Sequence, residues 1–451
     1  MKNLLQLNKN IARLSSFLVI LFSLNLAQAQ VTTSAPLSLD DAIHRALQSN
    51  YGIRMVNLQT QASAINNSWG AAGALPNLST SVSGSSAVSD QTQNPTSFIQ
   101  DKFESDGIST GVNFNWTLFN GMGMFASKSR LALIESQSEG QATLIIEQTV
   151  EAVDRAYHSV LLQTELLSVL AESMSLSRQR LNEIKLNESY GIAGTFDRLQ
   201  FENAILADST SWLQQGVALK SSVRNLNLLM GDVESHMWTL TDELTPPPAL
   251  PSHLDVRIAV LLDNTSIQNA IISENIARQG VKQAQSFLYP VLGFNASFSD
   301  AISKFSAGED NVSGRSTNTS ALLTMNFNLF NGGATRRAIS IAQIQADIAA
   351  IDSDNVRYQA AAISRNAYDR NTLGESVYNL SVKASENASI SLDIAESSYK
   401  NGVINALDYR ALEIALQRAR VNELSSLLQW RSAYVEVNRL MGALRAPLME
   451  E

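Results

Sequence analysis

The chain has 451 residues, a formal net charge of −9 and no cysteine. The missing thiols exclude a disulfide framework, a cysteine metal site and a lipid-anchored mature N-terminal Cys. The acidic balance argues against nucleic acid as a partner.

The N-terminus reads as a leader. Lys2, Lys9 and Arg13 precede an apolar run from Phe17 to Leu26, and Ala27-Gln28-Ala29 supplies a small-residue cleavage site. That run is too short for a spanning helix, which needs about 20 residues. Residues 1–29 are therefore predicted to be removed as a signal peptide. No later stretch has the length and apolarity of a transmembrane helix, so any crossing of a bilayer has to use strands.

The first predicted element beyond the leader is helical. Ser38 stands ahead of Leu39-Asp40-Asp41 as a predicted N-cap with acids in the first turn. The helical pattern runs to about Ala74, breaks near Asn50-Tyr51-Gly52, and stops at Pro76.

Strands follow. Leu78, Thr80 and Val82 form one alternating face, and Ile108, Thr110, Val112, Phe114, Trp116 and Leu118 form a clearer one. Ser109, Gly111, Asn113, Asn115 and Thr117 lie opposite, small and polar. Runs of about ten residues suit tilted membrane strands. A half-buried strand of a soluble sandwich alternates too; the leader and the small polar face favour the membrane. Residues 85–107, rich in Ser, Asp, Asn and Gly, are predicted to be a long outward loop. Trp116, Phe119, Tyr289 and Phe330 stand at strand ends, where aromatic residues suit a membrane interface.

At Phe119-Asn120-Gly121 the strand turns sharply into a helix, since Asn and Gly tolerate unusual backbone angles. From Met122 to about Glu188 no proline occurs, and Ile146, Val150, Val153, Tyr157, Val160, Leu167, Met174, Leu181 and Ile184 make a heptad-like seam. Such a helix is on the order of 100 Å long, so it needs neighbouring helices along its whole length. It ends at Tyr190-Gly191, and the chain returns along residues 199–230. Thr245-Pro246-Pro247-Pro248-Ala249-Leu250-Pro251 then forms a stiff connector.

The second half repeats the first. Asn115, Phe119, Asn120 and Gly121 recur as Asn326, Phe330, Asn331 and Gly332 at an offset of 211. Ala156-Tyr157 recurs as Ala367-Tyr368, Gly191 as Gly402, Asp197 as Asp408, and Leu229-Met230-Gly231 as Leu440-Met441-Gly442. Upstream the offset is 214, taking Asn50 to Asn264 and Pro76 to Pro290. A constant offset over this length means two copies of one structural unit. Its strands are Leu292 to Phe298 and Ala321 to Leu329, its outward loop 299–320, its long helix about 334–399 and its return 412–441. The predicted division is a leader (1–29), a first repeat (30–231), a Pro-rich linker (232–253), a second repeat (254–442) and a tail (443–451).

Four strands cannot close a membrane barrel, and an open edge is not tolerated in lipid. Strands of several chains must combine in a cyclic ring. The Leu75-Pro76 and Tyr289-Pro290 strand starts, the Leu-Phe-Asn-Gly strand ends, the Gly-x5-Asp hairpin tips and the Leu-Met-Gly helix ends resemble those of TolC-family outer-membrane efflux proteins. The resemblance covers essentially the whole mature chain. It implies a membrane α+β fold in a homotrimer. Four transmembrane strands per chain would build a twelve-stranded β-barrel, continued by a long periplasmic α-helical barrel. It also implies no enzyme chemistry and no cofactor, a periplasmic adaptor, an inner-membrane pump of the RND or ABC type, and a Gram-negative outer membrane. The function implied is the exit duct for small molecules.

The resemblance also implies site residues. Asp197 and Asp408 would line the periplasmic constriction, although each also suits an N-terminal helix cap. Gly191, Ile192 and Ala193, with Gly402, Val403 and Ile404, would dock the adaptor. Asn120, Gly121, Asn331 and Gly332 form the strand-to-helix turns, and Pro76 and Pro290 the helix-to-strand turns. Ile404 and Ala411 stand where some members carry an Arg and an Asp, so packing rather than a salt-bridged lock is the expected closure. His44, His158, His236 and His253 lack metal-ligand spacing. Type I protein secretion is the alternative role. A periplasmic coiled-coil scaffold or adaptor conflicts with the alternating strands, and a passive porin with the long helices.

Overall fold

The computed structural model describes residues 35–98, 100–192, 194–232, 236–307 and 310–448. The predicted leader and Ala193 lie outside the described residues, as do the last three residues of the predicted tail. The first copy contains β1 (Ala35–Leu37), α1 (Leu39–Ser49), α2 (Tyr51–Asn66), β2 (Asn77–Asp90), β3 (Lys102–Asn120), α3 (Gly123–Ser189) and α4 (Thr195–Leu229). After β4 (Trp238–Leu240) come α5 (His253–Asp263), α6 (Thr265–Ser286), β5 (Val291–Ala307), β6 (Asp310–Asn326), α7 (Ala334–Lys400) and α8 (Ala406–Leu440). A 3-10 turn, Ala443–Leu448, follows.

The long helices match in length, 67 residues each in α3 and α7, and so do the returns, 35 each in α4 and α8. Helices α3 and α4 form one hairpin, α7 and α8 the other, and α3 packs against α8 to join them. Above that seam α6 lies between α3 and α7, and α2 lies against α3. The seam residues Val150, Val153, Tyr157, Val160 and Ile184 are buried, and Ile146, Leu167, Met174 and Leu181 are half-buried.

Ser38 caps α1, accepting from the Asp41 amide at 3.1 Å. The predicted break at Asn50 is a cap as well. Asn50 Oδ1 accepts from the amides of Gly52 and Ile53 at 2.8 and 3.2 Å, while its Nδ2 donates to Leu229 O at 2.8 Å. Asn264 does the same, capping α6 and donating to Leu440 O at 3.0 Å. Each Asn thus ties the chain break of its repeat to the end of the returning helix. Gly231 lets that end approach: its φ is +71°, and a Cβ there would lie 2.4 Å from Ser49 O. The paired Leu-Met-Gly and Asn motifs are one joint, made twice.

The Ala-Tyr motif sits nearby. Tyr157 donates from its hydroxyl to Leu37 O at 2.9 Å or Asp242 at 2.7 Å, and Asp242 accepts from the Leu39 amide at 2.8 Å. This fastens the start of the predicted linker, whose β4 pairs in parallel with β1. In the second copy Tyr368 meets His253 edge-on at 5.2 Å.

The four long strands make one antiparallel sheet in the order β2-β3-β5-β6. They outrun the prediction. Residues 85–90 and 102–107 pair as strand, as do 299–307 and 310–320, so the predicted long loops are largely strand. Backbone pairing carries Ser- and Thr-rich segments that have the composition of loops. With 14 to 19 residues each, the strands are about 45–60 Å long, more than a hydrocarbon core of about 30 Å requires. The predicted helix to Ala74 also stops early, at Asn66. The strand predicted to reach Leu329 ends at Asn326, because β5 supplies partners only that far. Phe330 is consequently outside any strand, while Phe119 pairs with Leu292 below a bulge in β3.

Asn264→Ala should lower stability by about 1–2 kcal/mol through the lost cap, and Asn50→Ala by a similar amount. Gly402→Ala should cost about 1–2 kcal/mol through its backbone angle alone, and Gly231→Ala distinctly more, because it also meets Ser49. Thermal unfolding of the detergent-held protein would read both comparisons.

Candidate functional site: the hairpin tips and the seam above them

The tips are two copies of one turn. Gly191 and Gly402 have φ of +74° and +72°. Ile192 N donates to Asn187 O, and Val403 N to Ser398 O, each at 2.8 Å. These bonds close the last turns of α3 and α7 in a Schellman-type end. They also push Ile192 and Val403 into solvent, at 76% and 75% exposure. Ile404 is half-buried. A cleft of about 610 Å3 runs between the tips, lined in part by Ile184, Ile192, Asp197, Tyr399, Gly402 and Ile404.

The two aspartates differ. Asp197 is half-buried, and its carboxylate accepts from the Gly194 amide at 3.3 Å. Asp408 is exposed, and its own amide donates to Asn405 Oδ1 at 2.9 Å. Position 405 supplies a capping amide where position 194 has no side chain. The carboxylate therefore caps in the first copy and is left free of that task in the second.

Above the tips lies a polar cluster that sequence reasoning missed. Arg180 of α3, 4% exposed, donates to Glu183 at 2.8 Å and, across the seam, to Glu396 of α7 and the Tyr409 hydroxyl of α8 at 2.9 Å each. Its guanidinium also lies 4.8 Å from the centre of the Tyr409 ring, which stacks on Tyr399 at 5.4 Å. Arg410 of α8 donates to Asp208 of α4 at 2.6 Å, to Ser177 of α3 at 3.0 Å and to Glu413 at 3.1 Å. These ion pairs join the two hairpins of the chain roughly 14 Å up from the end of α3, away from Ile404 and Ala411. The available signal was a gap in the seam, where Ser177 falls at the heptad position between Leu170 and Ile184.

Charge states follow from position. Hydrogen bonds from Lys400 and then Arg180 hold the Glu396 carboxyl below its usual range. Burial pushes the Glu413 carboxyl up, against the pull of Arg410. Burial also raises the Tyr409 hydroxyl, so it stays protonated. Arg180 Nε and Glu413 Oε1 are buried with no hydrogen-bond partner among the described residues. Each such orphan costs about 1–3 kcal/mol, which offsets part of what the ion pairs contribute.

The sheet supplies the other end of the molecule. Leu78, Val82, Ile108, Leu323 and Met325 share its apolar face and are largely exposed. Trp116 is anchored through its ring N–H to Ala74 O at 3.0 Å. At the strand-to-helix turns, Asn120 Oδ1 accepts from the Met124 amide at 2.9 Å and Asn331 Oδ1 from Thr335 at 3.4 Å. Pro76 and Pro290 each stand one residue ahead of a strand. Among the described residues no helix is long and apolar enough to cross a membrane.

The sequence model of the outer membrane efflux protein family matches residues 258–443. The match lies almost wholly within the second repeat and makes that segment similar to outer membrane efflux proteins. No curated protein matches the chain in sequence. The fold is similar to that of a membrane protein from Pseudomonas aeruginosa, with TM-score 0.75 and 16% identity over 90% of this chain and 93% of the other. It is similar to the CmeC outer membrane channel of Campylobacter jejuni, with TM-score 0.72 and 15% identity over 90% and 85%. The open-state MtrE outer membrane channel of Neisseria gonorrhoeae gives 0.68 and 16% over 90% and 88%. At such identities the likeness is one of fold. The efflux-protein family and these TolC-like relatives are channels, not enzymes.

Arg180→Ala should destabilise the closed hairpins by about 2–3 kcal/mol, less than a fully buried pair because Glu183 and Glu396 reach solvent. Tyr409→Phe removes one hydrogen bond and should cost about 1 kcal/mol. The melting temperature should fall further for Arg180→Ala than for Tyr409→Phe. Glu396→Gln should lower the melting temperature slightly above pH 4.5, the ordinary carboxyl value. A depressed carboxyl contributes stability above its ordinary pKa and loses it as pH falls through the folded value. The gap from wild type should therefore close in more acidic buffer.

Proposed function

We propose that three copies of this chain form the outer-membrane exit duct of a tripartite efflux system for small molecules. The observation that carries this is the four-stranded sheet, with an apolar face exposed and both edge strands, β2 and β6, open on one side. Barrels in bilayers have at least eight strands and no edges. Three sheets give twelve strands and close the ring. The hairpins below them then make a tube of six, and the leader (1–29) directs the chain out of the cytoplasm. Repeats 30–231 and 254–442 each give one sector of the tube, joined by the 232–253 linker.

In this reading Asp197 and Asp408 ring the periplasmic mouth, and Ile192, Val403 and their neighbours meet an adaptor. An inner-membrane pump supplies the energy. Native mass spectrometry of the detergent-extracted protein should give a trimer, and the protein should fractionate with outer membranes. Deleting the gene should sensitise cells to dyes and detergents several-fold. If sensitivity is unchanged and a large exported protein is instead retained, the duct serves protein secretion.

A further inference from the structure

The surface just below the sheet has a charge unlike that of the rest of the chain. Residues 121–134, 275–290 and 331–346 join the helices to the sheet there. They hold Lys128, Arg130, Arg278, Lys282, Arg336 and Arg337 and no acidic residue, in a chain of net charge −9. The fourth such segment, 66–76, is uncharged. The far end of the sheet has the opposite balance, with Asp90, Asp101, Glu104, Asp106, Asp300 and Asp310 against Lys102, Lys304 and Arg315.

Three of the cations share a surface with large apolar side chains. Met122, Phe125, Lys282, Leu288, Tyr289 and Ile339 border one shallow hollow of about 500 Å3. Arg278 stands one turn from Lys282 on the exposed face of α6. Trp69 meets Phe125 edge-on at 5.6 Å, and the Lys128 ammonium lies 6.0 Å from the centre of the Trp69 ring. Trp69, Met122, Phe125, Leu288 and Tyr289 are all exposed. Lys282 forms no ion pair among the described residues, and Arg278 meets Glu274 in a surface pair at 2.6 Å.

The directions of the helix contacts make this the convex surface. From α3, Gln137 and Gly140 point toward α6, while Ser138 and Glu135 point toward α2. At about 100° per residue these directions lie on the order of 150° apart. The row of helices therefore curves toward the narrow side of that angle, and Phe125 falls in the middle of the wide side. Helices α3 and α6 are the inner pair of the row α2-α3-α6-α7, so a neighbouring copy at either edge leaves their convex faces open.

We propose that this collar binds the phosphate groups of anionic phospholipids in the periplasmic leaflet, a step that rests on the outer-membrane reading above. Depth fits it. Helix α3 begins at Gly123 and α6 ends at Ser286, which puts Lys128 and Lys282 about 6–8 Å below the helix ends and Arg278 about 12 Å below. The headgroup layer extends roughly 5–8 Å beyond the hydrocarbon on each side, and long cationic side chains reach back toward it. The rings beside them suit the boundary between tail and headgroup. Rings alone are served by any phospholipid; cations without acidic company select a surface of net negative charge.

Native mass spectrometry of the full-length protein tests the collar. After delipidation and incubation with equal amounts of phosphatidylglycerol and phosphatidylcholine, the wild type should retain the anionic lipid by about five-fold or more. Arg278→Gln with Lys282→Gln should bring that ratio close to parity with the melting temperature unchanged, since the Glu274 pair is a surface one. Lys128→Gln should lower the ratio by a smaller factor. The far-end pair Lys102→Gln with Lys304→Gln should leave it as it was, and added salt should erode it. A wild type without preference, a double variant that keeps it, or an equal loss in the far-end pair overturns the collar. Should the double variant fail to fold, an unchanged ratio in Lys128→Gln overturns it instead. A wild-type protein that does not fractionate with outer membranes overturns the reading beneath.

Discussion

Backbone hydrogen bonding in lipid is the constraint from which the rest of this molecule follows. The sheet satisfies its inner strands completely, and each outer strand on one side only. In water such edges are tolerable; in hydrocarbon each unpaired amide or carbonyl costs several kcal/mol. In the trimeric reading the chain is therefore a sector rather than a finished object. The same incompleteness runs down the helices, where α2, α4 and α7 expose rows of large apolar side chains. Sheet edge and helix face are left open by the same duplication and have to be covered by the same event.

Duplication also explains which features are shared and which diverge. The Asn50 and Asn264 joints and the tip turns are preserved, because they are made inside each repeat. The contacts between repeats are free to differ, since one kind is made within a chain and the other is not. Ion pairs such as Arg410 with Asp208 sit at the internal joint, where the linker already holds the halves together. The polar cluster around Arg180 and Arg410 carries buried atoms without a partner, which offsets part of what its ion pairs contribute.

Much of this was legible in the sequence, and the exceptions have physical causes. The long helices and the return helices were visible because 67 residues of heptad-like pattern leave a strong periodic signal. Strand alternation was visible only where one face is apolar. Above that band Ser, Thr, Asp and Gly occupy both faces, so residues 85–90 and 102–107 read as loop although they pair as strand. The three-residue strands β1 and β4 are too short to carry a period. The seam arginines looked like ordinary solvated charges, because their partners lie some 200 residues away in sequence. Asp197 and Asp408 looked equivalent, and only the cap chemistry at positions 194 and 405 separates them.

The equal lengths of the helices have a consequence for how such a gene can change. Because α3 and α7 match residue for residue, and α4 and α8 likewise, the two tips end level. Deleting one residue from a single hairpin arm would draw its tip back by about 1.5 Å and rotate every side chain beyond the gap by about 100°. The seam would then present its polar face to an apolar one over tens of ångströms. Substitutions are local events here, but a change of length is not. The three-residue difference between the repeats falls in the strand-and-loop segment between Pro76 and Asn115, and the far end of the sheet is the place where the chain can be lengthened without being retimed.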